Sequence, residues 1–340
     1  MGKQRILYWD VAKAVAMICV VWSHCLQNLT TDSDYWLNDP ISQIIISFHM
    51  PLFMLVSGYF AYSSMFKPSL FSVIKRKFVQ LIIPSVLWGL IVTGLAMVVH
   101  RDFSADKFRF MAENTLFSYW YLKALFFCYL LTLLGAAFFR YSRTMFVLYI
   151  ILMLALSNYL DYSNAMSMMP IFLFGLFLHY HSDRIISNAK IVLVISLATY
   201  LLMFSTWAFS DYNMYSHPFS FSNLRQFTIR TIIGLSGSLC WIIIIKKVID
   251  SFNCSLFNKL SKMGQMTMGI YLIQLIFAES LCKIMSVHVS TMFSKLPPPI
   301  WVWYDFIITP MLTIVIMLII VWIIKLIRKN NIASLLLLGE

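Results

Sequence analysis

Charge is scarce in this sequence, and negative charge most of all. Of its 340 residues only 12% are Asp, Glu, Lys or Arg, with 14 acidic against 26 basic. Soluble domains carry about 25% charged residues, so the shortage excludes an ordinary water-soluble globule. Hydrophobic residues make up 60% of the chain and the mean hydropathy is +0.79, the values of a polytopic membrane protein. The six cysteines, at 19, 25, 128, 240, 254 and 282, contain no CxxC pair. Five lie in or near apolar runs and read as reduced packing residues. The start "MGKQRI" lacks the Ser or Thr that myristoylation needs. The apolar run behind it is long and has no small-residue cleavage site, so no removable leader is expected. We find no internal repeat of the inverted-half kind and no segment long enough for a separate soluble domain. The expectation is one membrane-embedded domain over 1–340.

What the chain has in abundance is apolar runs of bilayer length, about 20 residues each. Ten windows qualify, near 8–28, 41–63, 79–100, 117–138, 144–160, 167–181, 190–210, 226–248, 265–286 and 305–327. The fold class expected is therefore all-α, a bundle of about ten transmembrane helices. Loops on one side hold seventeen of the 26 Lys and Arg, those on the other six, and Lys13, Lys123 and Arg230 fall inside spans. The positive-inside rule then puts both termini in the cytoplasm. The net charge of +12 is mostly this orientation signal and not a nucleic-acid footprint. The acidic "TTDSDYWLND" (30–39) and the stiff "KLPPPIW" (295–301) become outer loops.

A charge at mid-bilayer costs roughly 2.5–3.5 kcal/mol on insertion scales, so such groups face a cavity or a partner. The set is Asp10, Lys13, His24, Lys123, Arg230 and Glu279, with Asp305 at an interface. Each has a structural reading. Asp10 and Lys13 can form an ion pair near the inner surface, Lys123 and Arg230 can snorkel outwards, and Glu279 can neutralise one of them. In "KAVAMICVVWSHC" (13–25), Lys13 and His24 are eleven residues apart. That is about three helical turns, which places both on one face. His24 is the side chain best suited to accept a proton near neutral pH. Lys75, Arg76 and Lys77 open the third span from the cytoplasmic side, either as a positive-inside flank or, with Lys13, as an anion site below His24.

These residues carry a resemblance. "LYWDVAKAVAMICVVWSH" (7–24), "FHMPLFMLVSGYF" (48–60), "KRKFVQLIIP" (75–84), "YWYLKALFFCYLL" (119–131), "MPIFLFGLFL" (169–178) and "MGQMTMGIYLIQ" (263–274) follow one another in order. The chain resembles acyltransferase family 3, bacterial membrane proteins that mostly O-acylate cell-surface glycans with acyl-coenzyme A. On that pattern Lys13 matches the family's basic residue and His24 its catalytic histidine. Pro51, Phe53, Ser57 and Gly58 fall on second-span signature positions. Gln80 stands where a second Arg is common, Lys77 where Arg is common, Tyr121 where Phe is common and Gln274 where His is frequent. Lys cannot offer Arg's bidentate fork, which shifts phosphate contact towards Arg76.

The resemblance implies a protein of the bacterial cytoplasmic membrane, with acyl-coenzyme A (acetyl-coenzyme A) as co-substrate from inside, a glycan acceptor from outside, and no metal. Coenzyme A phosphates would meet Lys13, Lys75, Arg76 and Lys77. His24 would deprotonate the acceptor hydroxyl or be acylated first. Lys123, Arg230, Tyr271 or Gln274 would stabilise the oxyanion. Thr267, Tyr271 and Gln274 share a helical face, whereas Glu279 lies well off it and is held as a candidate for orienting His24. Trp120 and Tyr121 are either a sugar-stacking wall or ordinary interface anchors. A second copy of the chain is a candidate partner. The rival class is a polysaccharide exporter or small-solute carrier, for which no pair of Gly/Pro-broken spans speaks. A non-catalytic scaffold explains neither Lys13 nor His24.

Overall fold

The computed structural model describes residues 6–30, 33–65, 69–101, 104, 106–109, 113, 115, 119–138, 142, 144–145, 147–152, 163–206, 221–252, 254–293 and 300–340. Among these residues every regular element is a helix and none is a strand. In lipid each backbone N–H and C=O must be satisfied within its own segment, and helices do that. Among the described residues seven helices are long and apolar enough to cross a membrane: Leu7–Asn28, Pro40–Ser63, Leu70–Leu95, Trp120–Ala137, Arg225–Ser251, Thr267–Ser286 and Tyr304–Ile327. Two shorter apolar helices, Ser167–Tyr180 and Ala189–Phe204, occupy the windows expected at 167–181 and 190–210. The window at 144–160 is helical over 144–145 and 147–152, and its remainder lies outside the described residues. The protein is thus a multi-pass helical membrane protein.

The third expected span differs at its start. Its helix begins at Leu70, nine residues before the expected window, so the basic run 75–77 lies inside the helix. Ser69 sets this start by accepting the Ser72 N–H through its side chain (3.3 Å). A π-helical turn then spans Phe78–Ile82. Pro84 has no N–H for the carbonyl four residues back, and the widened turn absorbs the break.

The chain divides into two compact units. The first comprises 1–49, 83–119 and 249–340, and the second 50–82 and 120–248. Within the first, α1 (Leu7–Asn28) is central, with 13 of its 22 residues buried. Numbering the helices in chain order, α2 is Pro40–Met65, α3 Leu70–Lys77, α4 Ile83–His100, α5 Trp120–Phe138, α6 Ser163–Tyr180, α7 Ala189–Phe204, α8 Phe221–Ser251, α9 Ser255–Gly264, α10 Thr267–Leu275, α11 Cys282–Phe293 and α12 Thr309–Ile327. α1 packs on α9, α10, α12 and the π-helical turn Ile276–Leu281. A Cβ on Gly264 would lie 1.9 Å from the Asp10 carbonyl oxygen, so only glycine lets α9 meet α1 here. Trp22 Nε1 donates to Thr309 Oγ1 (2.9 Å) and Tyr304 OH donates to the Leu26 carbonyl (2.9 Å). These two bonds fix the upper end of α1 to the start of α12 and to the π-helical turn Tyr304–Ile308 before it, at about 1 kcal/mol each. Trp88 of α4 donates to the Leu337 carbonyl (2.7 Å), holding the segment after α12.

Within the second unit, α6 packs against the part of α2 that follows Met50 through two glycines. A Cβ on Gly58 would sit 2.0 Å from the Phe172 carbonyl oxygen, and one on Gly175 would sit 2.2 Å from that of Leu55. Small residues allow such backbone contact where lipid supplies no hydrophobic drive between helices. Pro51 lies inside α2 and Pro170 inside α6. Gly234 of α8 lies against the Pro51 ring, its Cβ position 2.8 Å from Pro51 Cγ. The outward positions of α7, among them Ile191, Val194, Ile195, Leu201 and Leu202, are exposed and form the lipid-facing side such a helix requires.

Candidate functional site

The site begins on α1. Asp10 Oδ1 pairs with Lys13 Nζ at 2.7 Å, one turn apart. Asp10 Oδ2 accepts from Ser261 Oγ (3.5 Å) and Gln265 Nε2 (3.4 Å). The carboxylate also sits in the first turn of its helix, where the helix dipole favours negative charge. The structural reading of this pair is therefore real, with Lys13 holding the same carboxylate that α9 anchors. Lys13 nevertheless keeps 24% of its side chain exposed.

Three turns above, His24 is partly exposed while its Nδ1 is buried. The Trp22 and Tyr304 hydrogen bonds lie two residues to either side of it, and Asn28 Nδ2 donates to its carbonyl (2.9 Å). Its neighbour Cys25 is buried beside Cys282 and Thr313. No cysteine of the six is in a disulfide, and only Cys254 is exposed. Lys13 and His24 are thus two partly exposed polar groups on one face of a largely buried helix.

α10 contributes Tyr271 and Gln274. Tyr271 is buried, and its ring centroid lies 6.0 Å from that of Tyr119, edge to face. Tyr119 OH donates to the Leu272 carbonyl (2.8 Å). Tyr119 itself has φ 56°, a left-handed conformation that costs a non-glycine residue roughly 1–2 kcal/mol. Nothing in the sequence marks Tyr119 for this, and only the backbone angle and its distant carbonyl partner reveal it. Gln274 is fully buried at 0% exposure, and neither Oε1 nor Nε2 has a hydrogen-bond partner among the described residues. Burying an amide without partners costs about 1–3 kcal/mol on protein scales. Glu279 lies in the π-helical turn Ile276–Leu281, and its side chain falls outside the described residues.

The remaining expected residues belong to the second unit. The basic run splits: Lys75 and Arg76 are exposed, while Lys77 Nζ lies 4.5 Å from the Tyr129 ring centroid, a cation–π contact. Successive helical residues turn about 100°, so three in a row cannot share a face. Tyr121 is buried, its hydroxyl 3.3 Å from Ser57 Oγ and its ring 6.0 Å from that of Phe53. Tyr129 donates to the Ser57 carbonyl (3.3 Å). Ser57 and Tyr121 are thus brought together as packed polar residues. Trp120 meets Tyr121 edge to face at 6.1 Å. Lys123 is partly exposed, and Arg230 is buried at 5% exposure.

Residues 6–337 match the family model described as an acyltransferase domain. This chain belongs to acyltransferase family 3. Among curated proteins it is similar to nodulation protein NolL of Sinorhizobium fredii, 32% identical over 142 residues. It is also similar to nodulation protein NolL of Mesorhizobium japonicum, 29% identical over 143 residues. The matched stretch covers 40% and 41% of this chain and spans 38% of each relative's length. No solved structure matches the chain.

Proposed function

We propose that this acyltransferase-family protein is a membrane O-acyltransferase. It moves an acyl group, acetyl foremost, from cytoplasmic acyl-coenzyme A to a hydroxyl of a cell-surface or lipid-linked glycan. The reading takes the chain as one acyltransferase domain with ten spans in the bacterial cytoplasmic membrane, both termini inside. The observation that carries it is the shared face of α1, where Lys13 and His24 keep partial exposure on a mostly buried helix in a chain matched almost end to end by the family.

In this proposal Lys13 meets the phosphates of the donor at the inner end, with Lys75 and Arg76 adding positive charge on the cytoplasmic side. The thioester comes to His24, whose imidazole takes the proton of the acceptor hydroxyl. The oxygen attacks the thioester carbon, the C–S bond breaks, and the imidazolium returns the proton to the departing thiolate. Such base catalysis contributes about 10²–10⁴ in rate. The two-step variant places the acyl group on the imidazole before the acceptor takes it. Tyr271 is proposed near the developing oxyanion, and Trp120, Lys123 and Arg230 as contacts of the acceptor.

The test uses acetyl-coenzyme A labelled in the acetyl group and the full chain in lipid nanodiscs or proteoliposomes. Label recovered on glycan, or as free acid when no acceptor is present, supports the reading. Uptake of solute or glycan without label transfer overturns it in favour of a carrier.

A further inference from the structure

Gln274 stands out from every other polar group on α10, because its amide is wholly buried yet has no partner for either end among the described residues. Its level follows from two contacts. Gly264 lies against the Asp10 backbone, and Cys282, which opens α11, lies beside Cys25 where α11 packs on α1. α1 and α10 therefore run side by side in the same direction, and they pack together. Gln274 is ten residues beyond Gly264 and eight short of Cys282. Interpolation along α1 puts it opposite Ile18, so Lys13 and His24 are each about 8 Å away along the axis at ~1.5 Å per residue. The π-helical turn Ile276–Leu281 adds one residue between Gln274 and Cys282, which leaves them seven helical steps apart. Seven steps are about two turns, so Gln274 shares the face through which Cys282 meets α1.

We infer that Gln274 is a donor-binding residue that pairs with an amide of the pantetheine arm as acyl-coenzyme A threads from Lys13 towards His24. This rests on the function proposed above. The arm carries two secondary amides between its phosphates and its sulfur. An arm anchored at Lys13 and delivering its thioester to His24 must bring them past the level of Gln274. A primary amide offers two donors and an acceptor, matching the C=O and N–H of a secondary amide. The same register takes Gln274 away from the reacting carbonyl and so from the oxyanion role that the family resemblance implies for it. The acceptor approaches from beyond His24, so Gln274 discriminates among donors and not among acceptors.

The experiment compares wild type with Gln274→Met, which keeps length and removes the amide, and with Gln274→Leu. Binding of coenzyme A is measured by calorimetry. Acetyl transfer is measured with acetyl-coenzyme A, S-acetyl-pantetheine and S-ethyl thioacetate, the last lacking both amides. We expect about tenfold weaker coenzyme A binding and a similar rise in KM for the two pantetheine donors. S-ethyl thioacetate and the acceptor should show unchanged KM. The variants should melt no lower than wild type, because the lost group had no partner to lose. Coenzyme A binding equal to wild type, or an equal loss with all three donors, overturns the inference. Tight coenzyme A binding without transfer to any glycan overturns the proposed function while leaving this inference standing. A wild type that binds no coenzyme A overturns both.

Discussion

Asp10 divides its carboxylate between two helices, one oxygen 2.7 Å from Lys13 on its own helix and the other facing Ser261 and Gln265. That arrangement sets two demands on Lys13 that mutation separates. Removing one partner of a buried pair strands a charge, at about 3–5 kcal/mol when burial is complete. With Lys13 24% exposed, solvent screening lowers this to about 2 kcal/mol. Asp10→Asn should lose that stability, and Asp10→Asn with Lys13→Met should recover most of it. If Lys13 meets donor phosphates, Lys13→Met raises the KM for acetyl-coenzyme A roughly tenfold in either background. An unchanged KM assigns Lys13 to the ion pair alone.

His24 carries the chemistry in the proposed reaction, so His24→Ala should insert normally, melt near wild type and lose about 10²–10⁴ in acetyl transfer. The ring also decides between the two routes. Mixed without acceptor and quenched rapidly, the wild type should release coenzyme A in a stoichiometric burst only if the imidazole is acylated first. Full transfer by His24→Ala removes the mechanism by either route.

How much of this was legible beforehand depended on whether a relation was local. The Asp10–Lys13 pair and the shared face of Lys13 and His24 follow from helical spacing, and apolar length gave nine windows that coincide with helices. The partners Ser261 and Gln265 lie some 250 positions away and leave no periodic trace. The basic run read as one patch, yet rotation along the helix sends Lys77 to the Tyr129 ring and leaves Lys75 and Arg76 exposed. Gln274 was visible as an unusual residue, but its lack of partners is a property of packing. Tyr119 was hidden altogether, since neither its positive φ nor its hydrogen bond to the Leu272 carbonyl, 153 positions away, leaves a local pattern.

The contact between α2 and α6 makes a prediction about stability that is independent of catalysis. At Gly58 any Cβ meets the Phe172 carbonyl at 2.0 Å, and at Gly175 it meets that of Leu55 at 2.2 Å. Backbone cannot yield as a flexible side chain can, so Gly58→Ala and Gly175→Ala should each cost about 1–3 kcal/mol. Gly94 provides the control, because a Cβ there meets nothing within 4 Å. Melting in detergent should fall for the first two and stay level or rise for Gly94→Ala. Equal melting of all three would mean that the helices do not approach as described.

The orientation on which the donor's route depends can be read from one thiol. Cys254 is exposed and the other five cysteines are buried, so a membrane-impermeant maleimide has a single ready target. Cys254 lies between Lys246, Lys247, Lys259 and Lys262, in a loop that the positive-inside rule assigns to the cytoplasm. Intact cells should leave it unlabelled, while inside-out vesicles should label it at about one thiol per chain. Cys254→Ser should abolish the signal, which rules out leakage to the buried thiols. Labelling in intact cells would reverse the bundle. It would then set Lys13, which shares the end of the first unit where Gly264 meets Asp10, on the outer side, where coenzyme A cannot reach it.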